Sequence, residues 1–140
     1  RLAEFVKERG LNRKLWVREV LADRYRELEA GRLFDWWICA MQEEGKVPSH
    51  EASASKLYNA QMAVRLANTA ADIIGRYSDL LGQHGELEND WPESEASKRW
   101  APLRGYITKV YRDCRTGGIA GGSNEIQKLI VSRRGLNLPR

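Results

Sequence analysis

Ser49-His-Glu-Ala-Ser-Ala-Ser-Lys-Leu57-Tyr-Asn-Ala60-Gln-Met-Ala-Val64-Arg-Leu-Ala67-Asn-Thr-Ala-Ala71-Asp-Ile-Ile74-Gly75 carries the cleanest periodicity in the chain. Its inward positions Leu57, Ala60, Val64, Ala67, Ala71 and Ile74 are spaced 3, 4, 3, 4 and 3 residues apart. That is the repeat of one face of an α-helix. Half of the stripe is alanine, and small residues let a neighbouring helix approach closely, as in an antiparallel bundle. Ser49 opens the helix, with Ser49-His50-Glu51 at its first turn, and the helix breaks at or after Gly75.

The pattern on either side is helical too. Leu2 to Arg9 forms a short helix that stops at Gly10, a C-cap. Asn12 then caps a long helix from Arg13 to about Glu44, ended by Gly45 and Pro48. Its apolar positions are Val17, Leu21, Tyr25, Leu28, Phe34, Trp37, Ile38 and Met41. Trp36-Trp37 reads as core and interface rather than as a stacking platform for a ligand ring. Gly82 to Glu95, rich in Gly, Asn, Asp and Pro, is a loop within one domain, with Trp91 exposed or packed as a lone anchor. A fourth helix runs to about Asp113, with Leu103, Ile107, Val110 and Cys114 on one face, and Thr116-Gly117-Gly118 ends it. The expected fold is all-α: an up-down four-helix bundle with a short extra C-terminal helix.

Composition agrees with that expectation and excludes several function classes. The 140 residues are 42% hydrophobic and 30% charged, a globular balance with few prolines. The net charge of +4 could serve a polyanion. However, Arg9, Arg13, Lys14, Arg18, Arg24, Arg26 and Arg32 alternate with Glu8, Glu19, Asp23, Glu27 and Glu29, the pattern of a solvated, ion-paired face. No nucleic-acid partner is expected. There is no apolar run long enough to span a bilayer and no signal segment, so the expected setting is soluble and intracellular. Cys39 and Cys114 lack metal-ligand spacing and read as buried free thiols, His50 and His84 as surface or capping residues. No metal site is expected. The chain starts at Arg1 inside a helical pattern, as expected of a piece of something longer.

The last segment carries the chemistry. Ile119-Ala-Gly-Gly-Ser-Asn-Glu-Ile-Gln-Lys-Leu-Ile-Val-Ser-Arg-Arg-Gly135 is a glycine-rich turn running into a short amphipathic helix that ends at a second glycine. Unpaired N–H groups at a helix start, with glycines that allow close approach, suit a phosphate or pyrophosphate. Lys128, Arg133 and Arg134 form the one denser basic cluster nearby.

The wording of this segment is more specific than its chemistry. Gly121-Gly122-Ser123-Asn124-Glu125-Ile126-Gln127, then Leu129-Ile130-Val131 and Arg133-Arg134-Gly135-Leu136-Asn137-Leu138-Pro139-Arg140, resembles the C-terminal signature of acyl-CoA dehydrogenases. Glu51-Ala-Ser-Ala-Ser-Lys-Leu57 resembles a helix start of that family, Tyr111-Arg-Asp-Cys-Arg115 the segment before its turn, and Leu21 to Leu28 part of its long helix.

The resemblance implies a FAD enzyme of three parts: an N-terminal helical domain, a central β domain and this bundle, packed against a neighbouring subunit. Residues 1–140 would be the bundle alone. The family's flavin sits between subunits, which by position places Gly122, Ser123, Asn124 and Glu125 nearest FAD, with Ser123 offering a hydroxyl. Local structure offers parallel roles: Asn124 as an N-cap with Gln127 as capping-box partner, and Glu125 as a first-turn acid. Implied partners are an acyl-CoA substrate, an electron acceptor such as an electron-transfer flavoprotein, and a homo- or hetero-oligomer. The implied location is bacterial cytoplasm, or the mitochondrial matrix in a eukaryote.

Three departures stand against the family pattern. Gly121, after Ala120, holds the position where medium-chain-type members carry the catalytic glutamate, so the base would lie on an earlier helix upstream of Arg1. Asp72-Ile73-Ile74-Gly75-Arg76-Tyr77-Ser78 replaces the flavin-contacting Gln-Ile-Phe-Gly-Gly-x-Gly motif. Around Arg9-Gly10-Leu11-Asn12 the family's Arg-x-x-Phe-Gly loop is missing. Three expectations follow. The first is the C-terminal domain of a catalytic acyl-CoA dehydrogenase, inactive on its own. The second is a domain of a non-catalytic subunit in a heteromeric one. The third is a stand-alone helical interaction module.

Overall fold

The computed structural model describes residues 1–75 and 102–139. Every regular element among them is helical. In chain order these are α1 (Leu2–Glu8), α2 (Leu15–Glu43), α3 (His50–Ile74), α4 (Tyr106–Asp113) and α5 (Asn124–Ile130), with α5 continued by a π-helical turn, Val131–Gly135. The all-α bundle with a short closing helix expected from the sequence is the fold found. The Gly82–Glu95 loop, Trp91 and His84 lie outside the described residues.

Helix α3 is the central strut. It runs antiparallel to α2, as paired residues along its length show. Val17 shares a buried cluster with Ile73. Arg65 Nε donates to Glu27 Oε1 at 2.8 Å, and Ser55 Oγ donates to Asp35 Oδ1 at 3.0 Å. On its other side α3 meets the whole C-terminal limb, also antiparallel. Ile107 packs with Ala70 and Ile74, Gly117 lies beside Ala60, and Gly135 lies against His50. A helix flanked on two sides needs two inward stripes. The single stripe read from sequence therefore widens: Ser53, Ser55, Ala60, Ala67, Thr69, Ala70, Ile73 and Ile74 are buried, while Leu57, Val64 and Ala71 are half-buried.

The close approach of α2 and α3 comes from α2 as much as from the alanines. Gly31 is buried, and a methyl there would meet Asn59 Oδ1 at 2.5 Å. Glu27 is the polar hub of this seam. It receives Arg65, lies 3.2 Å from Arg24, and its carbonyl accepts from Tyr58 Oη at 3.1 Å. The apolar cluster is small, with Val6, Val17 and Ile73 at its centre. Burying one such side chain contributes about 2 kcal/mol.

Several local expectations are corrected. Asn12 does not cap α2: it lies in a 3₁₀ turn, Leu11–Arg13, and Lys14 stands at the N-cap without a side-chain bond. Gly10, at φ 65°, supplies the left-handed turn that breaks α1 from this segment. Tyr25 and Trp37 are exposed rather than inward, at 63% and 49%, and Trp36 is exposed at 66%. The α3-facing side of α2 is filled instead by Gly31, Glu27 and Phe34, whose ring lies 5.5 Å from that of Tyr58. Cys39 is exposed and Cys114 half-buried, so neither is the buried thiol expected. The fourth helix is short, because Gly105 at φ 72° separates it from the 3₁₀ turn Pro102–Gly105.

Candidate functional site

After α4 the chain reverses in a 3₁₀ turn, Thr116–Gly118. Thr116 fixes that reversal: its hydroxyl donates to the Asp113 carbonyl at 2.6 Å, and its backbone carbonyl accepts from the Ala120 N–H at 2.8 Å. Gly121 and Gly122 follow at φ 69° and 96°, a left-handed pair that side chains resist. Ser123 returns to extended backbone and α5 begins.

Two side chains from different helices hold the pair from within. Gln127 of α5, itself buried, donates Nε2 to the Gly121 carbonyl at 3.0 Å. Lys56 of α3 donates Nζ to the Gly122 carbonyl at 2.5 Å. All described peptides are trans, so the N–H of each of these units points opposite to its carbonyl. The N–H groups of Gly122 and Ser123 therefore face away from Lys56 and Gln127, on the outer side of the turn. A methyl at Gly122 would lie 2.8 Å from Gln127 Nε2, so a Cβ there would force the Gln127 amide off the Gly121 carbonyl.

The four residues expected near a ligand are thus brought together, with roles the sequence assigns only in part. Ser123, not Asn124, is the N-cap, and its Oγ accepts from the Ile126 N–H at 3.4 Å. Gln127 holds the Gly121 carbonyl instead of closing a capping box. Asn124 packs its amide against Gly118, and its Oδ1 is buried without a hydrogen-bond partner. Glu125 folds back onto its own backbone N–H and the Ser123 hydroxyl, and these bonds, helped by Lys128 and Lys56, lower its pKa. This is a first-turn acid satisfying its own helix start. The Ser123 hydroxyl is engaged within the turn.

The basic cluster is divided: Lys128 acts on Glu125 at the turn, and Arg134 does not. Arg134 reaches the other way and donates to Ser49 Oγ at 2.8 Å, while Gly135 packs against the His50 ring. Glu51 completes that latch by accepting from the Ser49 N–H at 3.0 Å. The cation that bonds the turn's backbone is Lys56, which the sequence did not single out. Its partner is 66 residues away, so no local spacing could have shown it. Among the described residues no cluster of His, Cys, Asp or Glu could hold a metal ion. No helix among them is long and apolar enough to cross a membrane.

The turn is suited to a group with hydrogen-bond acceptors. It offers the N–H groups of Gly122 and Ser123, whose own peptide carbonyls are taken by Gln127 and Lys56. Acyl-CoA dehydrogenase FadE26 of Mycobacterium tuberculosis is 26% identical over 129 residues, covering 89% of this chain and 28% of that protein. Cyclohexane-1-carbonyl-CoA dehydrogenase of Geobacter metallireducens is 23% identical over 117 residues, covering 84% of this chain and 25% of that protein. The chain therefore spans about a quarter of the length of these relatives. Among solved structures, the Tcur3481-Tcur3483 steroid ACAD superposes with a TM-score of 0.82 at 27% identity, covering 99% of this chain and 33% of the other. The family model for the acyl-CoA dehydrogenase C-terminal domain matches residues 2–136, and the chain belongs to that family.

Proposed function

We propose that residues 1–140 are the C-terminal bundle of a longer FAD-dependent acyl-CoA dehydrogenase, whose N-terminal helical and central β domains lie elsewhere in the polypeptide. In this reading the outer face of Gly122, Ser123, Asn124 and Glu125 contacts FAD across a subunit boundary. The carrying observation is the turn itself. Its two glycine carbonyls are drawn inward by Lys56 and Gln127, which leaves the opposite N–H groups to an acceptor on the outside. Exposed Leu33, Trp36 and Trp37 on α2 supply apolar surface for packing against another subunit.

Held at this face by Gly122, Ser123, Asn124 and Glu125, FAD would supply a hydride acceptor for the β-carbon of an acyl-CoA thioester. The chain's share is to orient and to exclude water. It does not remove the α-proton. Gly121 carries no carboxylate, and Glu125 is held as an anion by its own backbone N–H and by Ser123, which makes it a poor base. The base belongs to a part of the enzyme outside these residues. Electrons would pass to an acceptor such as an electron-transfer flavoprotein, in the bacterial cytoplasm.

The test is made on the complete polypeptide, purified in its native assembly. Flavin absorbance should be present and should bleach when an acyl-CoA is added. Straight-chain and ring-bearing thioesters are both tried, since two of the three named relatives are a steroid ACAD and a cyclohexane-1-carbonyl-CoA dehydrogenase. An assembly without flavin, or one whose flavin no acyl-CoA bleaches, contradicts the proposal. The isolated 140 residues should hold no stoichiometric FAD.

One observation favours a second reading, a non-catalytic subunit of a heteromeric enzyme. Where the family carries a glycine-rich flavin motif, Ile73 and Ile74 are buried in the core and Gly75, at φ 67°, serves to stop α3. Ile73 and Ile74 are committed to packing. Under this reading the polypeptide purified alone lacks activity, and activity appears only when the partner chain is added.

A further inference from the structure

Lys56 is half-buried on α3 and reaches across to the glycine-rich turn of another element. We propose that Lys56 is a positioning residue for the cofactor-contacting turn: its ammonium pins the Gly122 carbonyl inward and so turns the Ser123 N–H outward. This rests on the reading of the turn as a FAD contact.

The physical case starts from Gly122. At φ 96° and without a Cβ, its backbone has little intrinsic preference, and the peptide linking it to Ser123 can rotate to either side. Gln127 fixes the preceding peptide from within α5, but it does not reach this one. Lys56 does, at 2.5 Å, and a hydrogen bond from a charged donor is the stronger kind. The bond also ties the turn to α3 two helical turns from its start. That start is locked in turn to the end of the chain by Arg134 on Ser49 and Gly135 against His50. The turn is therefore clamped to the central strut by a single cation placed under the peptide whose N–H faces out. Glu125 is the acid nearby whose anionic form Lys56 favours, and it is already occupied by its own helix start. Lys56 thus remains available to the carbonyl.

The experiment uses the complete polypeptide in its native assembly, with FAD as the probe. Lys56→Met keeps the apolar stem and removes the donor. It should weaken FAD binding about tenfold, the scale of one lost hydrogen bond. Lys56→Arg, which retains a charged donor, should recover most of that affinity. Thermal unfolding of the FAD-free assembly serves as the second readout and should move by only a few degrees. A Kd within twofold of wild type in Lys56→Met overturns the positioning role, whatever happens to stability, because the bond would then be only a clamp. If Lys56→Met does not assemble, Lys56→Leu takes its place: weakened binding supports the role and wild-type affinity overturns it. Absence of FAD binding by the wild-type assembly overturns both this role and the proposed function, and is separable from the first result.

Discussion

At Gly121 and Gly122 two neighbouring residues of one type are held for different reasons. Both have positive φ, but only Gly122 has a side chain in the space its Cβ would need. Gly121→Ala should cost about 1 kcal/mol, the strain of a left-handed alanine. Gly122→Ala should cost roughly 2–4 kcal/mol, since Gln127 must also leave the Gly121 carbonyl. Denaturant unfolding of the two variants checks the difference, and equal costs would count against the clamp described for this turn. The glycines were legible in the sequence, as was the helix that follows them. Lys56 was not, because a contact across 66 residues leaves no mark on local spacing.

Two carboxylates at helix starts give the protein an acid-sensitive component. The pKa of Glu51 is lowered chiefly by its own backbone N–H and further by that of Ser49, and that of Glu125 by its own backbone N–H and by Ser123. A carboxylate whose folded pKa is depressed adds stability above its unfolded pKa, about 4.3. That stability is lost as pH falls through the folded value. Stability should therefore drop on going from about pH 5 to pH 3, and Glu51→Gln with Glu125→Gln should flatten that limb. Urea unfolding across this range is the measurement. An unchanged slope in the double variant would show that other groups carry the acid sensitivity.

Among the elements, α3 shows what periodicity can and cannot disclose. The repeat of Leu57, Ala60, Val64, Ala67, Ala71 and Ile74 announces a helix with one inward face. It does not announce that a second element lies along the other side, and so Ser53, Ser55 and Thr69 were not counted as buried. Polar residues can sit there because they find partners, as Ser55 does with Asp35. For α2 the failure is of the opposite kind. Its apolar residues run almost all round, so spacing alone could not say that Tyr25 and Trp37 face outward. Ala67 is 1% exposed and lies in the packed part of α3. Ala67→Leu should cost about 1–3 kcal/mol by overpacking, while Asn68→Leu on the exposed side should stay within about 0.5 kcal/mol. Thermal unfolding distinguishes them, and comparable shifts would contradict the burial pattern.

For the whole molecule, the antiparallel limb from Leu103 to Gly135 turns α3 into a platform with the signature turn near one end. Fold and family are both readable from the chain, the first from helical spacing and the second from the C-terminal wording. What spacing alone leaves open is how the turn is held, because Lys56 and the Ser49–Arg134 latch are tertiary contacts. In the proposed function the outer face of this turn meets FAD. Hydrogen exchange of the complete protein in its native assembly, with and without FAD, tests it most directly. Exchange should slow in peptides covering residues 120–127 when FAD is added. FAD that binds and slows exchange elsewhere, while residues 120–127 exchange as before, would contradict it.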